Sequence, residues 1–388
     1  MKSLKKITKA LSLMANYPVR PGKRLSVLFD IVSLYWGKGI SFREYYNMEF
    51  EKQPTSFRDS FLGFSEERHY LQVLNPIKYY ELSYNKYLTH KVLEDTGVRT
   101  AELYCLYQPD GLVCGSSEIA NDVKGICRIL KEKQVSSCVI KEPEGSHGSG
   151  VTVIKHIEYT DDNAVMTRFD DSTVMLSDRL KKTPLIFESL VKQTKQFADF
   201  NDSSVNTVRF MTLLHPNGDA EVIYTWIRIG RPGRCVDNAG DGGNLDARIN
   251  PETGEIQFVK QFDGWRNMKE IDVHPDNGHQ LNGVIIQNWN AIKEEIIRYQ
   301  QAFPYCRAAG WDIAITDDGP VVLEINDRWD TTGQYFIQHG WREEIRNCYL
   351  EWKKENRDDG ILRDRMRNLL PQWHLRKIES KSFNKYSE

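Results

Sequence analysis

The sequence predicts an α+β protein in which mostly antiparallel strands follow a helical N-terminal stretch. Residues 1–80 have helical character, beginning with apolar side chains at helical spacing. From about residue 100, short segments rich in β-branched and aromatic residues alternate with Gly- and Asp-rich turns, a pattern typical of strands. Residues 341–388 are again helical and heavily charged. Helices separate too few of the strands for a regularly alternating parallel sheet.

The composition excludes several classes of protein. The chain has 388 residues, of which 40% are hydrophobic and 11% aromatic, so it can bury a substantial core and is not a disordered protein. Its 52 Lys+Arg nearly balance its 54 Asp+Glu, which argues against a nucleic-acid partner. The seven cysteines include no CxxC pair, which argues against a zinc site and favours a reducing, cytoplasmic compartment.

The first residues form a basic amphipathic pattern. Leu4, Ile7, Leu11 and Met14 share one helical face, and lysines occupy the other. This helix is expected to pack on its own domain, with contact to an anionic membrane surface as the alternative. There is no signal-peptide core, and the longest apolar stretch, 25–36, is too short to span a bilayer. The sequence therefore predicts a soluble, cytoplasmic protein with at most peripheral membrane contact.

Local patterns place the individual elements after residue 80. Helices are predicted over 84–96, where Gly97 marks the C-terminal end, over 116–134 and over 288–303. The strand segments are 101–107, 136–142, 150–157, 185–191, 206–214, 220–230, 311–316 and 321–326. The last two segments form a hairpin that carries the most informative polar residues.

The register of this hairpin decides which side chains share a face. Two alternating strands, 310–316 and 320–326, flank the turn sequence 317–319. If all three turn residues lie in the loop, Asp312 faces Glu324 on one side of the sheet. A two-residue loop would place these carboxylates on opposite faces. The three-residue loop is the register that we expect.

In that register the hairpin gathers oxygen ligands for a hard cation. Asp312, Glu324 and Asn326 would share one patch, and two carboxylates with an amide oxygen suit Mg²⁺. Facing carboxylates would otherwise repel one another, and a cation removes that cost. The alternative is an ordinary solvated hairpin face. The apolar neighbours on both strands favour the metal site.

A glycine-rich loop follows a strand that ends in Lys141. Gly145 and Gly148 let backbone N–H groups approach phosphates, Ser146 and Ser149 add hydroxyls, and Lys141 adds a point charge. The loop is not a Walker motif, because no GK[ST] sequence and no helix follow it. Taken alone, the segment is equally compatible with a plain glycine-rich hairpin turn.

The apolar strand over 185–191 carries one acid, Glu188. In an adenine pocket, Glu188 would accept a hydrogen bond from the exocyclic amine, and the backbone of Leu190 and Val191 would contact the ring edge. Taken alone, Glu188 fits an acid on an edge strand that faces water.

Together and in this order, the polar residues resemble the ATP-grasp superfamily. They are Lys86, Lys141, Glu188, Asp312, Glu324 and Asn326. The resemblance implies an ATP-grasp fold, in which two α+β subdomains clasp ATP. It further implies that two lysines hold the phosphates, that a hinge strand holds adenine, and that the D…ExN arrangement binds magnesium. ATP and Mg²⁺ are therefore the expected cofactors.

Three longer segments are similar to one family within this superfamily, the sugar-transfer-associated ATP-grasp family. They are 203–214, 225–256 and 310–327. The resemblance implies a helical region over 1–80, an ATP-grasp domain over 81–340 and a helical tail over 341–388. The domain would divide into subdomains of about 100–190 and 191–340.

The implied activity is an ATP- and Mg²⁺-dependent ligase that converts a carboxylate into an acyl phosphate for attack by an amine. The family name suggests polysaccharide or glycoconjugate biosynthesis, with a sugar acid or an amino acid as the small-molecule substrate. A phosphotransferase of the same fold and a non-catalytic nucleotide-binding module are the alternatives.

Arg209 and Arg228 are the expected catalytic cations, because each guanidinium can grip a phosphate or carboxylate with two hydrogen bonds. Other arginines compete for this role, namely Arg231, Arg234 and Arg248. One departure concerns amino-acid-joining ATP-grasp ligases, in which an arginine stands two residues before the first metal aspartate. In this sequence that position is Gly310.

Overall fold

A computed structural model describes residues 17–110, 118–144, 150–180, 182–234 and 244–355 of the chain. Within these ranges the strands form two sheets of seven strands each, preceded by a group of helices. This mixed architecture confirms the predicted α+β class. No helix in the described ranges is long and apolar enough to cross a membrane.

The α-helices are numbered in chain order. They are α1 (Arg24–Lys38), α2 (Phe42–Asn47), α3 (Thr55–Ser60), α4 (Phe64–Leu74), α5 (Glu81–Tyr84), α6 (Lys86–Asp95), α7 (Val123–Glu132), α8 (Leu176–Arg179), α9 (Lys195–Phe200), α10 (Trp289–Ala302), α11 (Gly333–Ile337) and α12 (Arg342–Lys354). The predicted helix over 4–14 and most of the predicted C-terminal tail lie outside the described residues.

The strands are numbered in the same way. They are β1 (Leu103–Tyr107), β2 (Ile119–Ala120), β3 (Cys138–Lys141), β4 (Thr152–Tyr159), β5 (Ala164–Arg168), β6 (Thr173–Met175), β7 (Leu185–Glu188), β8 (Thr207–Leu214), β9 (Ala220–Ile229), β10 (Leu245–Ile249), β11 (Ile256–Gln261), β12 (Lys269–Glu270), β13 (Ala308–Thr316) and β14 (Gly319–Asn326). Each of the eight predicted strand segments overlaps one of them.

The N-terminal helices pack around an aromatic cluster. Tyr45, Phe50, Phe57 and Phe61 are all buried there, and their rings contact one another at centroid distances from 4.9 to 5.9 Å. Burial of large aromatic rings supplies the apolar area that helices as short as α2 and α3 need, because short helices are not stable alone. These helices therefore form a small core of their own beside the two sheets.

The first sheet has the order β2-β1-β7-β3-β4-β5-β6. Its pairs are antiparallel except for β1 and β2, which pair in parallel. The helix α7 covers one face with the buried side chains Ile126, Ile129 and Leu130. The predicted helix over 116–134 was too long at its N-terminal end, because residues 119–120 pair with β1 as a strand.

The second sheet has the order β12-β11-β10-β9-β8-β13-β14 and is covered on both faces. Along β8, Val208 and Phe210 pack toward α10, whereas Met211 and Leu213 pack toward α4 and α12. The strands β2, β5, β6, β10, β11 and β12 were not predicted. Their segments are only two to six residues long, so their alternation is weak.

Candidate active site

A cleft of about 1480 Å³ opens between the two sheets and is closed at one end by the N-terminal helices. Lys141 and Glu188 line it from the first sheet, and Arg209, Asp312 and Glu324 line it from the second. Strands of both sheets, helix α6 and the connection after β7 therefore bring the predicted site residues that the structure describes to one cavity. A cleft of this size accommodates a nucleotide together with a second small molecule.

The hairpin of β13 and β14 places Asp312 opposite Glu324, as predicted, but its loop length and register differ from the prediction. Thr316 pairs with Gly319, so the loop has two residues and the predicted three-residue loop is wrong. The register then shifts by one residue between Asp312 and Ile313, which leaves Leu323 as an extra residue in β14. This bulge restores the pairing of Asp312 with Glu324. The shared face was predicted correctly, and the turn was not.

Asp312 lies between two arginines from neighbouring strands. Arg209 binds both carboxylate oxygens, with Nη2 2.9 Å from Oδ2, and Nη2 of Arg228 lies 2.8 Å from Oδ1. Burial works to raise the pKa of the Asp312 carboxyl, but the two guanidinium groups outweigh it and hold the pKa at about 2. Asp312 is therefore ionised at neutral pH and orients both arginines.

The space beside Gly310 is filled by a neighbouring arginine. A Cβ atom at Gly310 would lie 3.2 Å from Nη1 of Arg209, which reaches over the glycine from β8. Sδ of Met211 would lie 3.4 Å from the same Cβ atom, so residue 310 has no room for a long side chain. The guanidinium of Arg209 thus lies beside Asp312, the first predicted metal ligand, although residue 310 itself is a glycine.

Glu324 and Asn326 lie on the same face as Asp312. Lys86 Nζ is 3.4 Å from Oε1 of Glu324, and the Asn326 amide donates weakly to Asp312 Oδ2 at 3.4 Å. Protein cations thus neutralise both facing acids, so their repulsion alone does not argue for a metal. The donor chemistry does fit Mg²⁺, because Glu324 remains 29% exposed and Asn326 offers an amide oxygen.

Helix α6 places Lys86 against the first sheet. Asn85 caps the helix by accepting from the amides of Tyr87 and Leu88, and the Lys86 amide donates to Pro143 O at 2.8 Å. This bond ties the start of α6 to the segment that precedes the glycine-rich loop. The predicted phosphate-contacting residues of that loop, Gly145, Ser146, Gly148 and Ser149, lie outside the described residues.

Lys141 and Glu188 form an ion pair at the floor of the cleft. Lys141 Nζ lies 2.6 Å from Oε2 of Glu188, and only 13% and 7% of the two side chains are exposed. The alternative of a water-facing edge acid is therefore wrong, since β7 lies between β1 and β3. Leu190 and Val191 follow β7 and line the cleft.

Sequence reasoning missed His90, which lies one helical turn after Lys86. It borders a small cavity of about 20 Å³, room for about one water molecule, that Lys86, Lys141, Glu188 and Glu324 also line. Burial lowers the pKa of His90, so its ring is neutral at physiological pH. His90 follows Lys86 by four residues on the same helix, and this spacing could have indicated that both side chains face the same site.

The N-terminal helices supply a second group of lining residues that the sequence did not reveal. Arg43 of α2, Arg68 of α4 and Arg328, which follows β14, all face the cleft. Glu44 joins these elements, because its Oε1 accepts from Thr331 Oγ1 at 2.6 Å and from the amide of Phe64 at 3.0 Å. These contacts span distant parts of the chain, so no local pattern could have indicated them.

A model of the sugar-transfer associated ATP-grasp family matches residues 65–349. The chain belongs to this family. The match extends well beyond the hairpin and includes Lys86, Lys141, Glu188, Arg209 and all three predicted metal ligands. It confirms the family resemblance and the ATP-grasp fold that the sequence predicted. No curated protein matches the sequence.

Solved structures with a similar arrangement include two proteins of distant sequence. A biotin carboxylase from Campylobacter jejuni has 11% identity and a TM-score of 0.43, and the alignment covers 75% of this chain and 53% of the other. The VanG D-Ala:D-Ser ligase from Enterococcus faecalis has 12% identity and a TM-score of 0.40, with coverage of 69% and 61%. The family member described here thus spans about half to three fifths of these chains.

Proposed function

We propose that this ATP-grasp protein is an ATP- and Mg²⁺-dependent ligase that activates a carboxylate as an acyl phosphate for attack by an amine. The observation that carries the proposal is the meeting of four cations and three acids in one cleft. The cations are Lys86, Lys141, Arg209 and Arg228, and the acids are Glu188, Asp312 and Glu324. A cluster of this kind suits the transfer of a charged phosphoryl group.

The reaction has two steps that need little covalent chemistry from the protein. A carboxylate oxygen of the substrate forms a bond to the γ-phosphorus of ATP, and ADP leaves. The amine then attacks the acyl carbon, a proton is lost from nitrogen, and inorganic phosphate leaves with the former carboxylate oxygen. Positioning and charge stabilisation dominate both steps. Lys86 and Lys141 would bind phosphate oxygens of ATP.

The two arginines would stabilise the transferring group. Arg209 and Arg228 lie on adjacent strands and are held in place by Asp312, so little reorganisation is needed when negative charge develops. Arg209 occupies the space beside Gly310 and would supply the guanidinium that this position lacks. Removal of one preorganised donor from such a site costs roughly 10²–10³ in rate.

Glu324 and Asn326 would hold Mg²⁺, with Asp312 as the third ligand once phosphates compete for its arginines. When bound, the ion would neutralise part of the negative charge of the phosphates. For the nucleotide base, we place adenine against Leu190 and Val191, with Glu188 at the edge of that pocket. The family description supports a place in polysaccharide or glycoconjugate assembly.

The second substrate would bind between the ATP site and the N-terminal helices. Arg43, Arg68 and Arg328 line that end of the cleft together with the acids Glu44, Asp327 and Asp330. The guanidinium groups could bind a carboxylate or phosphate group. A sugar acid or an amino acid has the required charge. The described cysteines are buried free thiols, which fits a cytoplasmic protein.

The test is to measure ADP and inorganic phosphate while sugar acids and amino acids are supplied with an amine. A ligase releases both products in equal amounts, whereas a phosphotransferase releases ADP and a phosphorylated acceptor. We expect Arg209→Met and Arg228→Met to lower the rate at least 100-fold by the loss of charge stabilisation. Arg298→Met, on the exposed face of α10, is the matched control and should retain full activity. Binding of ATP without turnover of any acid would contradict the proposal.

A further inference from the structure

Helix α1 exposes an unusually apolar face. Leu25, Phe29 and Trp36 are 69%, 73% and 81% exposed, and Val32 is 46% exposed. Two further members of the face are Leu28 and Tyr35, at 41% and 49%. At 100° per residue these six side chains fall within an arc of about 120°. They form one continuous stripe rather than scattered surface residues, and we refer to it as the α1 face.

The opposite side of α1 packs against the rest of the protein and holds the helix in place. Val27 and Ile31 are buried against the aromatic cluster of the N-terminal helices. Asp30 accepts from Tyr45 Oη at 2.7 Å and pairs with Arg58 at 2.6 Å. The helix therefore has enough contacts on one side to stay folded, and the α1 face is not required for its packing. Exposed apolar stripes of this extent mark interaction surfaces.

The N-terminal part of the sequence is strongly basic. The first 38 residues contain eight basic residues, which are Lys2, Lys5, Lys6, Lys9, Arg20, Lys23, Arg24 and Lys38. Their single acid is Asp30, which pairs with Arg58, and Lys38 pairs with Asp59 of α3. Arg20 and Lys23 are exposed beside the first turn of α1. This balance contrasts with the net charge of −2 for the whole chain.

We propose that the α1 face docks onto an anionic phospholipid membrane. Aliphatic and aromatic side chains with Trp and Tyr at one end suit the boundary between headgroups and acyl chains, and the basic residues suit anionic headgroups. The helix has 15 residues and is therefore about 22 Å long, too short for a hydrocarbon core of about 30 Å. It lies in the plane of the membrane and does not cross it.

Charge also argues against the other occupants of this face. A second copy of the chain would bring two sets of exposed cations, including Arg20 and Lys23, close together. Residues 1–16 carry four lysines and no acid, so an anionic surface suits this part of the sequence as well. An anionic surface is the partner that removes this repulsion.

Docking would hold the active-site cleft close to the membrane surface. Helix α2 packs against α1, and its residues Arg43 and Glu44 line the cleft together with the N-cap residue Ser41. One short helix thus separates the α1 face from the cleft wall. The docking proposal is independent of the chemistry proposed above, because it rests on residues that do not line the cleft.

The experiment is flotation of the full chain with vesicles of phosphatidylcholine alone and of phosphatidylcholine with 30% phosphatidylglycerol. We expect binding to the anionic vesicles at least tenfold tighter than to the neutral ones. Phe29→Ser/Trp36→Ser should lower that binding at least tenfold, and Arg20→Glu/Lys23→Glu should lower it several-fold with a loss of salt dependence. Far-UV circular dichroism should be unchanged, because both apolar side chains are exposed.

Ile285→Ser is the matched control, since Ile285 is 60% exposed on another part of the surface. It should bind vesicles as the unaltered chain does. If Phe29→Ser/Trp36→Ser bound the anionic vesicles as tightly as the unaltered chain, the proposal would be overturned. Residues 1–16 are intact in that variant and would then account for the binding. Absence of vesicle binding, or a dimer in sedimentation that the same double substitution disrupts, would also overturn the proposal.

Discussion

Asp312 lies directly opposite Glu324 on the β13–β14 hairpin, although only two residues separate Thr316 from Gly319. A regular hairpin with a two-residue loop would turn these carboxylates to opposite faces of the sheet. The extra residue at Leu323 compensates for the short loop and returns Glu324 to the cleft. The proposed metal site therefore depends on a bulge in β14.

Asp312 should make the stability of the protein sensitive to acid. Its folded-state pKa of about 2 lies below the ordinary value of 3.8, so the stabilisation is present above about pH 4 and is lost as the pH falls toward 2. A shift of this size corresponds to about 2 kcal/mol. Urea unfolding of Asp312→Asn should show a loss of about 3 kcal/mol at pH 7, because two largely buried arginines lose the carboxylate between them.

The control for Asp312 is Asp276→Asn. Asp276 also pairs with an arginine, Arg231, but its side chain is 29% exposed, so its loss should cost less than about 1 kcal/mol. Equal destabilisation by both substitutions would contradict the special role of the buried pair.

Substitutions at Lys141 and Glu188 should change the affinity for nucleotide and the stability of the fold independently. Lys141→Ala leaves the buried Glu188 carboxylate without its cation, and we expect a loss of about 2 kcal/mol in stability and at least tenfold in affinity for an ATP analogue. In Lys141→Ala/Glu188→Gln the buried charge is gone, so stability should recover while the affinity stays low. Calorimetric titration and urea unfolding measure the two effects. If the double variant recovered both stability and ATP affinity, Lys141 would contribute to nucleotide binding only by pairing with Glu188.

Glu324→Gln tests the proposed metal ligand. The side chain is 29% exposed and its salt bridge to Lys86 is long at 3.4 Å, so the fold should keep its stability within about 1 kcal/mol. Magnesium-dependent ATP binding and turnover should be abolished. The control is Asp318→Asn, an exposed acid in the turn of the same hairpin. Unchanged magnesium dependence in Glu324→Gln would show that the metal site is elsewhere.

Glu67 should limit stability at alkaline pH. It is fully buried, and its oxygens accept no hydrogen bond among the described residues, although Arg68 Nε lies 3.3 Å from Oε2. Burial outweighs this nearby cation and raises the pKa of the carboxyl to about 8. Because this pKa exceeds the ordinary value of 4.5, the protonated form favours folding, and that contribution fades as the pH rises toward 8. Glu67→Gln should therefore be more stable than the unaltered chain at pH 9 by about 2 kcal/mol or more, with little difference at pH 5.

Urea unfolding at both pH values measures this difference. Glu132→Gln, an exposed position on α7, is the control and should show no such pH dependence. A destabilised Glu67→Gln at pH 9 would indicate that the ionised carboxylate has a compensating partner.

The sequence by itself determined the elements whose signals are local. Alternation identified both strands of the hairpin, and helical spacing identified α6 with its end at Gly97, which has a positive φ of 73°. The order of the polar residues was enough to indicate the ATP-grasp family, which the family match confirmed. These features depend on residues that are neighbours in the chain or on one motif read in order.

The tertiary structure decided which of those residues meet. It paired Lys141 with Glu188, placed Arg209 in the space beside Gly310, and brought Arg43 of the N-terminal helices to the cleft wall. It also introduced the bulge in β14 that no turn pattern indicated. Contacts of this kind join segments far apart in sequence, and their formation depends on the packing of whole sheets and helices. Local periodicity carries no information about that packing.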